Sequence, residues 1–240
     1  YCSPENVVQG YARAARALGV VVRTGVEATG IETSGGEVAG VTTSEGGIAC
    51  RAVVCAAGAW SKQVGAWVGV DLPVEPLRRQ IVVTEPLGDD LLALFDDSTP
   101  MTIDAATTFY LHREGPGVLF GMSYQQERPG FLEGYSEEWL PDLLQAMERR
   151  APALLDVGLA HRWAGYYETT PDHNAVIGEA DGISRFLYAT GFSGHGFLQG
   201  PAVGEVVRDL YLGRTPVVDV SSLSASRFAA GRRLVEHAIV

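Results

Sequence analysis

Near the C-terminal end of the chain an apolar strand, a glycine-rich turn and an amphipathic helix follow one another without interruption, and this run constrains the fold most. Phe186-Leu187-Tyr188-Ala189-Thr190 is rich in β-formers, Gly191-Phe192-Ser193-Gly194-His195-Gly196-Phe197 follows, and Val203, Val206, Val207 and Leu210 then recur at helical spacing. A loop that delivers the chain into a helix N-terminus gathers unpaired backbone N–H groups and the positive end of the helix dipole at one spot. Main chain alone can then hold an electron-rich ligand edge. A tight turn requiring positive φ would account for glycine by itself. Three glycines with an interleaved histidine and two phenylalanines exceed what a turn requires and favour a site.

The rest of the chain reads as mixed α/β. Ser3 and Pro4 predict a helix start, Val7, Tyr11, Ala14, Ala15 and Leu18 its apolar face, and Gly19 its end. Val20–Arg23 reads as a short strand, Ala28–Thr43 as two strands around Ser34-Gly35-Gly36-Glu37, and Ile48–Ala57 as a strand after a second turn. The end of that last run, Ala52–Gly58, lacks polar alternation, which predicts a strand covered on both faces. After Pro73 and Pro76 a second lobe is expected. It begins with a strand at Gln80–Thr84, a hairpin across Glu114-Gly115-Pro116-Gly117, and a helix capped by Ser136 with Leu140, Leu143, Leu144 and Met147 on its face. Arg162–Glu168 and Ala175–Gly178 read as strands that return the chain to the glycine loop.

Composition narrows the function. A net charge of −11 argues against nucleic acid, whose phosphates require clustered Lys and Arg. No apolar run approaches membrane-spanning length, and three widely spaced cysteines give no disulfide framework, so a reduced, cytoplasmic setting is expected. His112, His161, His173, His195 and His237 are scattered without metal-ligand spacing. Ser193 fails the nucleophile-elbow pattern because residue 195 is His, and no Gly-x-Gly-x-x-Gly occurs. Ala56-Ala57-Gly58-Ala59-Trp60-Ser61 ends the apolar strand in tiny residues, which permit either close approach of a flat or phosphate-bearing ligand or simple helix–strand packing.

The Gly25-Val26 segment, Ala56–Ser61, the Gln80–Thr84 strand, Tyr167-Glu168-Thr169-Thr170-Pro171-Asp172-His173-Asn174 and the Gly191–Phe197 loop occur in the order of the motifs of a known family. Together they resemble the D-amino-acid oxidase-like superfamily of FAD-dependent amine oxidoreductases, in its sarcosine oxidase and dye-linked proline dehydrogenase β-subunit branch. The resemblance implies an α/β (α+β mixed) fold, the C-terminal part of a glutathione-reductase-type FAD-binding fold interleaved with a mixed or antiparallel-sheet substrate domain. Residues 1–76 and 161–240 would belong to the FAD domain and 77–160 to the substrate domain, the N-terminal strand and dinucleotide fingerprint being absent from the sequence.

Carried over by position, the resemblance implies that Val26 meets the adenine and that Ala57, Gly58 and Trp60 lie along the pyrophosphate and ribose. Gly194, His195, Gly196, Phe197, Leu198 and Gln199 would hold the flavin's pyrimidine edge. Tyr167 and His112 would face a small amine or amino-acid substrate, and an electron-accepting subunit is an implied partner. Gly165 stands where monomeric sarcosine oxidases carry the cysteine that tethers flavin, so non-covalent FAD is expected. Leu198 replaces the lysine with which those enzymes grip the substrate carboxylate. The alternative is a cofactor-free chain that keeps the fold as a structural or interaction module.

Overall fold

The computed structural model describes residues 2–96 and 98–236; Tyr1, Asp97 and His237 lie outside the described residues, as do the three residues after His237. Helix α1 (Pro4–Ala17) precedes the strands β1 (Ala28–Ser34), β2 (Glu37–Thr43), β3 (Gly46–Ala49) and β4 (Val53–Cys55). Then come α2 (Ser61–Ala66), β5 (Glu75–Thr84), α3 (Asp89–Leu94), β6 (Thr102–Ile103), β7 (Tyr110–Glu114) and β8 (Gly117–Gly121). The chain continues through α4 (Leu140–Arg150), β9 (Leu159–Thr169), β10 (Val176–Glu179), β11 (Phe186–Thr190), α5 (Gly196–Tyr211) and α6 (Ser226–Ala229).

Helix α1 starts as expected, with Ser3 Oγ accepting the Asn6 amide and Pro4 at the position where a missing N–H costs nothing. Its apolar stripe is uncovered: no residue of the helix is buried, and Leu18 is 86% exposed. Val20–Arg23 forms no strand and is exposed, because β-branched residues hold a strand only where a neighbouring edge supplies hydrogen bonds.

Strands β1, β2 and β3 form an antiparallel meander that turns through Gly35 and Gly36. The single strand expected over Ile48–Ala57 divides between two sheets. Ile48 pairs with Val41 in the meander, whereas β4 pairs in parallel with β11, which is antiparallel to β10. Only one face of β4 is covered. Cys55 is buried, but Val54 is 45% exposed and borders a 310 Å³ cavity shared with Ala28, Ile31, Val41 and Ala57.

The second lobe is a fully antiparallel sheet in the order β6-β7-β8-β5-β9. Its back face sends Val82, Leu111, Val118 and Phe120 into one core with Leu143, Met147 and the fully buried Trp139. Trp139, not Ser136, occupies the cap position of α4, and the Ser136 hydroxyl instead accepts the Glu138 amide. Burying the indole at the helix entry displaces the start by a turn, and Leu144 of the expected face is left exposed. A second core gathers Leu72, Val74, Val176, Phe186 and Tyr188 around β10, β11 and β4, and Val206 of α5 packs on Ala175 and Ile177.

Candidate functional site

β4 and β11 run in parallel, and the glycine loop and the Ala56–Ser61 segment leave their carboxyl ends side by side, where open parallel sheets bind ligands. Buried hydroxyls join the two: Ser61 Oγ lies 2.7 Å from Thr190 Oγ1, and Thr190 Oγ1 donates to the Gly58 carbonyl at 3.3 Å. Glu168 of β9 is held between them. Its carbonyl accepts the Ser193 amide at 3.1 Å and its Oε1 accepts the Phe192 amide at 3.4 Å. A Cβ at Gly58, which has φ +53°, would stand 2.7 Å from Glu168 Oε2. Burial pushes the Glu168 carboxyl above its ordinary value, and the Phe192 amide opposes that rise.

The loop packs directly on Tyr167. Gly194 has φ +101°, and a Cβ there would come within 2.6 Å of Tyr167 Cε2, so neither the backbone nor the space admits a side chain. His195 is the N-cap of α5 and makes no side-chain capping bond. The amides of Gly196, Phe197 and Leu198 therefore emerge without intrahelical acceptors, while the Gln199 amide already bonds the His195 carbonyl. The Leu198 side chain is almost wholly exposed.

Register places Tyr167 and His112 on one face of the five-stranded sheet. Arg79 lies opposite Gly165, Ile81 opposite both Trp163 and Gly121, Tyr110 opposite Gly121, and His112 opposite Leu119. Alternation along each strand thus carries Arg79, Tyr110, His112, Trp163 and Tyr167 to the face away from α4. A Cβ added at Gly165 would meet nothing within 4 Å, so the floor of this face is open. His112 Nδ1 donates to the Arg113 carbonyl at 2.8 Å, which fixes the proton on that nitrogen.

Of the residues expected along the cofactor, Trp60 packs among aromatic rings. Trp60 contacts Phe131 at 5.2 Å between ring centroids and meets Tyr166 edge-on at 6.3 Å, on the side of β9 opposite Tyr167. There it lines a 440 Å³ cavity with Ala59, Pro76 and Phe131. Val26 sits half-buried two residues ahead of β1. Sequence reading missed Arg79, Tyr110 and Glu168. A signal for the first existed: adjacent arginines in a strand send one charge to each face.

A family model described as DAO, FAD dependent oxidoreductase, matches residues 1–210. FAD-dependent oxidoreductase domain-containing protein 1 of Bos taurus is 34% identical over 212 residues, which are 80% of this chain and 42% of that protein. Mitochondrial dimethylglycine dehydrogenase of Mus musculus is 26% identical over 244 residues, 95% of this chain and 28% of that protein. The chain thus spans less than half the length of these curated relatives. The crystal structure of L-proline dehydrogenase from P. horikoshii superposes with a TM-score of 0.85 at 31% identity, covering 95% of this chain and 60% of that one. Glycine oxidase from Geobacillus kaustophilus shares the fold, with a TM-score of 0.75 at 23% identity over 89% of this chain and 55% of that one. FAD is the cofactor of this family, and the uncapped amides of α5 beside the side-chain-free Gly194 and Gly58 suit an anionic, planar group of that kind. The loop geometry, the sheet that faces it and the match over residues 1–210 agree: this chain belongs to the FAD-dependent oxidoreductase family.

Proposed function

We propose that the chain serves an FAD-dependent oxidoreductase that oxidises the C–N bond of a secondary or α-amino acid of the sarcosine, glycine or proline kind. The observation that carries this reading is the uncapped amide end of α5 set against Tyr167 at the rim of an open, aromatic sheet face. Residues 1–76 and 161–240 contribute to FAD binding and 77–160 to the substrate lobe, whose sheet is completed by β9 across that boundary. Among the relatives, one is a dimethylglycine dehydrogenase and one solved neighbour an L-proline dehydrogenase, which supports the same substrate class.

Bound FAD supplies the acceptor for the hydride equivalent that leaves the carbon next to the amine nitrogen. The amides of Gly196, Phe197 and Leu198 and the dipole of α5 hold the cofactor's electron-rich edge and favour negative charge there. The Gly194 backbone keeps Tyr167 pressed against the loop, so the ring's edge toward the sheet face is fixed. Tyr167, Trp163 and Tyr110 wall the substrate in apolar surface and disfavour a charged amine, leaving the nitrogen lone pair available. Gly165 offers no nucleophile, so FAD is held there without a covalent bond.

Full-length protein should show flavin absorbance in the visible, as purified or after reconstitution with FAD. An anaerobic bleaching screen with sarcosine, proline, glycine and dimethylglycine then identifies the substrate. Protein that takes up no FAD would sink this reading in favour of a structural module.

A further inference from the structure

Strand β5 carries two adjacent arginines whose fates differ. Arg78, on the back face, forms a bidentate pair with the buried Glu127 through Nε and Nη2, both at 3.0 Å, and donates to the Gly134 carbonyl at 3.3 Å. Arg79, on the open face, has no such partner. Its Nε is buried without a hydrogen bond, and Nη1 makes only a 3.5 Å approach to the Arg78 carbonyl. Its guanidinium stands 5.5 Å from the centre of the Tyr167 ring, and the Tyr110 phenol lies within electrostatic reach. Among the described residues the carboxylate that acts on Arg79 is Glu127, which Arg78 already neutralises. Burial lowers the Arg79 pKa, which registers the same lack of solvation.

A guanidinium in this position is costly unless an anion completes it. The expected substrate-gripping lysine is absent, since position 198 is leucine and its side chain points into solvent. We propose that Arg79, framed by Tyr110 and Tyr167, is the residue that recognises the substrate's carboxylate and so selects amino acids over simple amines. The planar fork suits a carboxylate through two parallel N–H donors, and both rings exclude water from the pair. Tyr110 has the room for this because position 121 is glycine: a Cβ there would stand 2.6 Å from the Tyr110 hydroxyl.

This inference rests on the proposed amine-oxidising function only for the identity of the substrate, and anion binding tests it separately. In full-length protein, calorimetric titration with pyrrole-2-carboxylate and with acetate should show binding that weakens at least ~30-fold in Arg79→Gln, a loss typical of a charge-assisted pair. Arg79→Lys should recover part of it, which guards against a variant that merely misfolds. In turnover, Arg79→Gln should raise KM for proline or sarcosine by a similar factor while leaving KM for pyrrolidine or dimethylamine within about twofold. Equal carboxylate affinity in wild type and Arg79→Gln, or equal loss for substrates with and without the carboxylate, overturns the proposal. Carboxylate binding that depends on Arg79 in a protein that oxidises no amine would uphold it and refute the proposed reaction.

Discussion

Removing Arg227 should be among the most damaging single changes, and the reason lies beside the site rather than in it. Its Nε and Nη2 grip the two oxygens of Asp172 at 2.9 Å each, with both side chains 2% exposed or less. Arg227 also donates to the carbonyls of Leu223, Ser224 and Asn174, while Asp172 accepts from Thr170 Oγ1 and from the amides of Asn174 and Leu234. The pair ties α6 to the turn that follows β9, two residues beyond Thr170, which itself abuts Gly191. Arg227→Ala leaves a buried carboxylate uncompensated and should cost ~3–5 kcal/mol in urea unfolding at pH 7. The electrostatics give an independent signature. Burial alone would raise the Asp172 carboxyl, but the Arg227 guanidinium and the two amides outweigh it and bring the pKa down to about 2. A depressed carboxylate stabilises the fold above its unfolded value and loses that contribution as pH falls. The drop from 3.8 to about 2 corresponds to ~2.4 kcal/mol, present above pH 4 and lost between pH 4 and 2. Urea midpoints followed by tryptophan fluorescence should therefore converge for wild type and Asp172→Asn as pH is lowered from 5 to 3. An Arg227→Ala variant that loses less than ~1 kcal/mol, or a gap between wild type and Asp172→Asn that stays constant with pH, would refute the reasoning.

Gly194→Ala should cut FAD affinity of the full-length protein at least ~10-fold with far-ultraviolet circular dichroism unchanged, because the added Cβ meets the Tyr167 ring and positive φ strains the loop by ~1–2 kcal/mol. Gly121→Ala should displace the Tyr110 ring and raise KM for carboxylate substrates by ~5-fold, about 1 kcal/mol, with kcat preserved. Trp139→Ala should lower unfolding free energy by ~3–5 kcal/mol in the same urea assay while leaving flavin absorbance intact, since the indole sits wholly within the core beneath α4.

Local signals carried most of the architecture. Gly35-Gly36 and the Glu114–Gly117 turn mark hairpins whose strands do pair, and the strand, loop and helix from Phe186 onward stand where periodicity puts them. What sequence concealed depends on partners distant in the chain. The run from Ile48 to Ala57, apolar but for Arg51, reads as a single strand because hydropathy does not say which sheet each half joins. Val20–Arg23 has strand composition but no edge to pair with, and Ser136 lost its capping role to the burial of Trp139. Tyr167 and His112, expected to face the substrate, stand on one face of the five-stranded sheet, and the glycine loop packs on Tyr167. The side of β9 on which Trp60 settles was not legible, because contacts with Phe131 and Tyr166, distant in sequence, decide it. Arg79 was invisible for a similar reason. Only the pairing of Arg78 with Glu127 shows which of two neighbouring charges is left over.

Strands β5 and β9 stay paired from Glu75 and Thr169 to Thr84 and Leu159, with one irregularity between Val83 and Thr84. One end of this ribbon adjoins Val74 and Thr170 beside the glycine loop, and its body carries Val82 into the core under α4. A hinge between the two cores would have to break that ladder. The spacing between the loop and the sheet face is therefore carried by a continuous backbone ladder rather than by a flexible linker. In the proposed enzyme, discrimination among amines of different size would fall to the side chains standing on the ribbon and its neighbour β7, where Trp163, Tyr110 and His112 are the positions at which substrate range could change without disturbing the glycine loop.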